Sequence, residues 1–322
     1  MHTTSETTSE NMTMNSKDCF VQVMNVLTHV VKYEPVPKSS HDVIILIIPG
    51  NPGVMTFYEV FMEELFMKSQ KKIPVWGISH AGHHHKSTPI GQSAITKGIQ
   101  SNFDVYSLRG QIEHKKAFVK ENIPPNKRLI LIGHSIGCYI ILKMIDELPE
   151  MNVIKSYLLF PTIERMLASP NGMLLGPILM YLRWLAIIPI YFASFLPESI
   201  QKRLIQWHFR NRNIPGCTVQ GVLNLFDPMV AANAFYMAAH EMRQVKECDY
   251  QLLERHASKL CLYYGSSDGW CPVNYYEDIK KSFPDEDIRL CKEGMEHAFC
   301  LTSSMEMAQV MWPWLMDDIN KS

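Results

Sequence analysis

The chain carries almost no net charge: 31 Lys and Arg stand against 32 Asp and Glu, leaving −1 over 322 residues. No global field draws it to nucleic acid or to an acidic surface, so any such attraction has to be local. C-x-x-C pairs are missing as well. The eight cysteines, Cys19 to Cys300, are scattered, several of them inside apolar runs where a free thiol packs as a small hydrophobe. That pattern favours a reduced, cytosol-facing protein. The opening stretch MHTTSETTSENMTMNSKD has neither the basic nor the apolar region of a signal peptide and reads as a disordered tail over residues 1–18. Internal repeats and low-complexity tracts are also absent.

What is present is a series of short runs with almost no polar residue: VIILIIP (Val43–Pro49), VWGIS (Val75–Ser79), LILIG (Leu129–Gly133) and YLLF (Tyr157–Phe160). Such runs mark strands buried on both faces, as in a parallel sheet covered by helices. Segments with helical spacing separate them: Phe57, Phe61 and Leu65, then Gly110–Glu121, then Ile140–Leu148. Strands alternating with helices imply a right-handed βαβ series, hence an α/β class with a doubly wound, mostly parallel sheet. Ahead of it, Phe20–Glu34 alternates apolar and polar residues as an edge hairpin does. The series resumes at LCLYYG (Leu260–Gly265) and IRLCKEG (Ile288–Gly294) and ends in a helix around Met305–Met316. The core is therefore expected over 19–160 and 256–322, with an inserted helical, apolar cap over 161–255.

Gly133-His134-Ser135-Ile136-Gly137 fits G-x-S-x-G between a strand pattern and a helix pattern. A direct turn from strand into helix strains the backbone at Ser135, and side chains at Gly133 and Gly137 would clash. The hydroxyl is thereby held at the C-terminal edge of the sheet, beside the positive end of the next helix. A serine nucleophile needs a base to take its proton and a carboxylate to orient that base, here in the chain order serine, acid, histidine. Asp268, three residues past Gly265, and His297, three past Gly294, fill those places. Chain order counts against His208, His240 and His256. Asp227 is an alternative acid, but Pro228 beside it suggests a turn or helix start.

The loop IPGNPG (Ile48–Gly53) follows a buried strand, and its glycines let backbone amides approach a ligand. Pro52 has no N–H. The N–H groups of Asn51 and Ile136 are therefore the expected oxyanion donors, each worth roughly 3 kcal/mol in the transition state. His83, His84 and His85 look like a metal cluster, yet neighbours in a loop point different ways and no spaced Asp or Cys accompanies them. Neither a metal nor a cofactor is expected.

From Ala168 to Pro197 the only charge is Arg183, followed by Lys202, Arg203, Arg210 and Arg212 among Trp207 and Phe209. Arg183 splits the stretch into pieces shorter than the roughly 20 residues of a span, and Pro177, Pro189 and Pro197 interrupt helices, so a single crossing is a poor fit. A hairpin or a pair of helices lying in one leaflet fits better, with Arg183 snorkelling outward and the basic and Trp side chains in the headgroup layer. The competing reading is a cap whose apolar side merely closes the site.

IIPGNPG, VWGISHAGHH, YSLRGQIEHKKAFV, LIGHSIGCYIIL, YYGSSDGWCPV and EGMEHAFC, in this order, resemble the lipid droplet-associated hydrolase family of the α/β-hydrolase superfamily. The resemblance implies an α/β-hydrolase fold in which Ser135, Asp268 and His297 are nucleophile, acid and base. It also implies a serine esterase on lipid droplets and the cytosolic face of the endoplasmic reticulum, with neutral lipid esters, sterol esters foremost, as substrates. Two alternatives remain open: a largely non-catalytic droplet surface protein affecting lipid storage, and a thioesterase or amidase using the same triad.

Overall fold

The computed structural model describes residues 16–36, 41–85 and 104–322. The chain starts as a hairpin of β1 (Ser16–Val23) and β2 (Val26–Tyr33), turned by Met24 and Asn25, both at positive φ. Two such residues give a tight turn whose twist matches the flanking strands. Ser16, Lys17 and Asp18 pair with Tyr33, Lys32 and Val31, so the end of the stretch read as a tail is strand. The exposed edge of β2 gives these polar residues backbone partners that composition does not reveal; residues 1–15 lie outside the described residues.

The series then runs β3 (Val43–Ile48), α1 (Glu59–Lys68), β4 (Val75–Ile78), α2 (Leu108–Asn122), β5 (Arg128–His134), α3 (Ile136–Glu147) and β6 (Val153–Leu159). After six helices come β7 (Leu260–Tyr264), α10 (Val273–Ser282), β8 (Ile288–Leu290), α11 (Phe299–Thr302) and α12 (Ser304–Lys321). The eight strands lie in the order β1-β2-β4-β3-β5-β6-β7-β8; pairing is parallel from β4 onward and antiparallel at the hairpin edge. Every residue of β3, β4 and β7 is buried, which is why these strands read as unbroken apolar runs. Ile48 pairs with Gly133, so the loop leaving β3 sits beside the turn leaving β5.

The six intervening helices are α4 (Pro170–Tyr181), α5 (Arg183–Ser194), α6 (Glu198–His208), α7 (Gly216–Asn224), α8 (Pro228–Gln244) and α9 (Tyr250–His256). Ser169 caps α4 by accepting from Gly172 N–H at 3.0 Å, and Asp227 caps α8 by accepting from Met229 N–H at 2.8 Å. The capping accounts for Asp227, the alternative acid. Helices α4 and α5 both pack on α8, whereas α9 packs on α3 of the core, although it falls in the interval read as cap. Leu252 and Leu253 bury α9 there.

Pro177 and Pro189 do not interrupt helices as expected; they lie within α4 and α5. Each forfeits one backbone bond, and Gly176 before Pro177 has no Cβ for the ring to strike. The break comes instead at Leu182, where the two helices bend by 81°. Among the described residues no single helix is long and apolar enough to cross a membrane; α4 and α5 together have the length and composition, but not the straightness. Of the 22 large apolar side chains exposed among the described residues, 16 lie between Met173 and Trp207. Exposed apolar residues gathered into one segment of the chain are the pattern of a surface that meets another apolar phase or a partner.

Candidate active site

The turn from β5 into α3 places Ser135 at φ 54°, ψ −123°. A non-glycine residue there is strained, and the surroundings hold it. A Cβ on Gly137 would lie 2.3 Å from the Ile48 carbonyl oxygen, and one on Gly133 would lie 2.9 Å from Cys138 N. Both positions need glycine because backbone, which cannot rotate aside, comes this close. Ser135 N–H donates to Leu159 O at 3.0 Å, fastening the turn to β6.

The loops after β7 and β8 bring the other two side chains to the serine. His297 Nε2 lies 2.9 Å from Ser135 Oγ, and its Nδ1 lies 2.6 Å from Asp268 Oδ2. Asp268 Oδ1 accepts from the main-chain N–H of Trp270 (2.7 Å) and Cys271 (3.2 Å), and Oδ2 from the Cys271 thiol at 3.1 Å. Burial pushes the Asp268 carboxyl up, but these bonds and His297 outweigh it and hold the group below its ordinary value. The acid stays ionised. Burial pushes the Cys271 thiol well above its ordinary value, so it remains a donor. Asp268, Cys271 and His297 are close enough to suggest metal ligands. With Nδ1 and Oδ2 only 2.6 Å apart and already bonded, however, there is no room for an ion between them.

Asn51 and Ser135 line one cavity of about 460 Å³, whose remaining wall is mostly apolar: Phe57, Leu179 of α4, Ile190 of α5, Val222 of α7, and Phe235 and Met242 of α8. The Ile136 N–H opens the first turn of α3. Among the described residues neither it nor the Asn51 N–H has a hydrogen-bond partner. Free N–H groups on the turns after β3 and β5 are the kind of donor an oxyanion requires. The Asn51–Pro52 peptide bond is cis.

Sequence reasoning overlooked the polar chain beneath this loop. Gly50 N–H donates to Tyr58 Oη at 2.9 Å; Tyr58 Oη lies 2.6 Å from His134 Nδ1, and His134 Nε2 lies 2.8 Å from the main-chain oxygen of His297. A carbonyl only accepts, so Nε2 carries the proton, Nδ1 accepts from the tyrosine, and the tyrosine accepts from Gly50. Burial lowers the His134 imidazole to about 3, which keeps it neutral; its two hydrogen-bond partners set the tautomer. The chain joins the loops bearing Asn51, Ser135 and His297. The one available signal was that a histidine fills the variable position of G-x-S-x-G.

The remaining histidines have other partners. His83 Nδ1 accepts from Gly53 N–H at 2.9 Å, and the His80 ring occupies the space where a Cβ on Gly53 would sit, 2.2 Å away. The His84 ring packs on that of His29, and His85 bonds Asn224. His240 meets Gln244, His256 meets Asp146, and His208 ends α6.

Residues 41–300 match the family model described as lipid-droplet associated hydrolase. The chain is 42% identical to the lipid droplet-associated hydrolase of Gallus gallus, over 94% of this chain and 95% of that one. Its identity to the Homo sapiens lipid droplet-associated hydrolase is 41%, covering 91% and 93% of the two chains. A carboxylesterase structure from Nitrososphaera gargenis superposes with a TM-score of 0.65 at 14% identity, over 94% of this chain and all of that one (100%). The shared architecture is the α/β-hydrolase fold.

Proposed function

The chain belongs to the lipid droplet-associated hydrolase family, and from that membership we propose that it is a serine esterase of neutral lipid esters, sterol esters foremost, working on the droplet surface and the cytosolic face of the endoplasmic reticulum. The observation that carries the reading is the hydrogen-bonded row Ser135–His297–Asp268, at 2.9 and 2.6 Å, opening onto an apolar cavity. Ser135 Oγ attacks the acyl carbon while His297 Nε2 takes its proton, and Asp268 orients and stabilises the imidazolium. The carbonyl oxygen becomes an oxyanion held by the N–H groups of Asn51 and Ile136. Collapse breaks the ester C–O bond, His297 returns the proton to the departing alcohol, and the acyl group stays on Ser135. Water, deprotonated by His297, then releases the acid and restores the serine.

The cap supports this location. The exposed apolar side chains of α4, α5 and α6, with Trp184 and Trp207 among them, suit insertion into a single leaflet, as over the oil of a droplet. Arg183, at the bend between α4 and α5, sits 5.4 Å from the Tyr236 ring. A non-catalytic surface protein would use the same helices without the serine. A fluorophosphonate probe discriminates: it should label the wild type and not Ser135→Ala, and equal labelling of the two sinks the esterase reading. Droplet emulsions of several neutral lipid esters would then rank the substrates.

A further inference from the structure

Asn51 is held by more than its own loop. Its side-chain Nδ2 donates to the Ala234 carbonyl oxygen at 2.9 Å and to Glu241 Oε1 at 2.8 Å, two residues seven apart on α8. Glu241 is buried and lines the same cavity as Ser135. A carboxyl in such a wall is costly unless it is bonded for a purpose, and the triad does not use it. The next two residues reach the apolar helix α4: Met242, which also lines the cavity, lies beside Gly176, and the Arg243 guanidinium donates to the Met180 carbonyl oxygen at 2.9 Å. One turn of α8 thus grips the oxyanion loop and the apolar helices together.

We propose that Glu241 is a positioning residue for the esterase reaction: by clasping the Asn51 side chain from the cap, it aims the Asn51 main-chain N–H at the oxygen on which charge develops. This rests on the esterase reading above. Gly50 and Asn51 lie on a loop close enough to the serine that a Cβ on Gly50 would sit 3.0 Å from Ser135 Cβ, so a small tilt of the loop changes the donor's distance to the reacting carbonyl. The Tyr58 hydroxyl fixes the Gly50 side of the loop, and α8 fixes the Asn51 side chain. Burial raises the Glu241 carboxyl to about 7. A neutral glutamine, which keeps the accepting oxygen, is therefore a fair substitute, whereas leucine is not.

The test is a double-mutant cycle on the full chain with the soluble probe p-nitrophenyl butyrate. Asn51→Ala keeps the main-chain N–H and removes only the clasped side chain; Glu241→Leu removes the clasp from the other side. Each should lower kcat about 10- to 100-fold, the scale of a misplacement near 1 Å, with KM within about threefold. The double variant should be no slower than Asn51→Ala alone, because the side chain that Glu241 clasps is already gone. Glu241→Gln should recover most of kcat. If Glu241→Leu gives no cooperative melt, Asn51→Ala and Glu241→Gln carry the test on their own. Additive losses in the cycle, or a rise in KM with kcat unchanged, would overturn the proposal and leave Glu241 as cavity wall. Absence of any turnover or probe labelling in the wild type would instead refute the esterase reading on which it rests.

Discussion

Replacing Tyr58 by Phe isolates the polar chain under the active site. The ring stays in place, packed edge-on against Phe299 at 6.3 Å, and only the hydroxyl goes. Two groups then lose their partner: Gly50 N–H, which donates to that oxygen at 2.9 Å, and His134 Nδ1, which accepts from it at 2.6 Å. Both residues are buried. Each unsatisfied group costs about 1–3 kcal/mol, so Tyr58→Phe should lose about 2–6 kcal/mol by urea unfolding, a large part of the stability of an ordinary domain. In a thermal scan that is a fall of roughly 3–9 °C for a chain of this size. The released Gly50 also loosens the neighbouring Asn51 donor, and kcat on a soluble ester should fall about tenfold, with KM little changed. A variant within about 0.5 kcal/mol and twofold of the wild type would refute both the bonding chain and the assigned His134 tautomer.

Three further outcomes follow. Gly137→Ala drives a Cβ to 2.3 Å from Ile48 O and 2.7 Å from Pro49 O; α3 must shift, so stability should drop by about 1–3 kcal/mol and kcat by about 100-fold, checked by urea unfolding and ester hydrolysis. Phe192→Asp places a charge on the exposed face of α5, where Phe192 is 67% exposed; flotation with neutral-lipid emulsions should show binding weakened about 10- to 100-fold, while hydrolysis of a soluble ester is unaffected. The Glu241 carboxyl is raised by burial from 4.5 to about 7. A folded value above the unfolded one means that stability is full below the unfolded value and is lost as pH climbs through the folded one. Wild type should therefore lose about 3 kcal/mol relative to Glu241→Gln between pH 5 and 8, and parallel unfolding curves across that range would contradict it.

Much of this architecture can be read along the chain because the determinants are local. Residues 43–48, 75–78 and 260–264 are buried on both sides, so their strands contain no polar alternation. The serine turn is confined to five consecutive residues, and Asp268 and His297 each follow a strand end in the order that the motif leads one to expect. What sequence did not reveal depends on contacts between distant residues. Tyr58 and His134 are 76 positions apart, and Asn51 and Glu241 are 190 apart, with no periodicity to connect them. The prolines misled for a related reason: a single proline costs one hydrogen bond, which packing of α4 and α5 against α8 offsets, whereas the bend at Leu182 leaves no residue signature. The strand at Ser16–Asp18 was hidden by its polar composition, since an edge strand needs only the backbone of its neighbour.

The central claim is that Ser135 carries the acyl group between two half-reactions. Rapid-quench mass spectrometry of the intact chain with a neutral lipid ester tests it most directly. A transient mass increase equal to the acyl group is expected, mapped to the peptide containing Ser135, absent in Ser135→Ala and prolonged in a variant slowed in deacylation. Turnover with no such adduct, or an adduct that persists in Ser135→Ala, would contradict it.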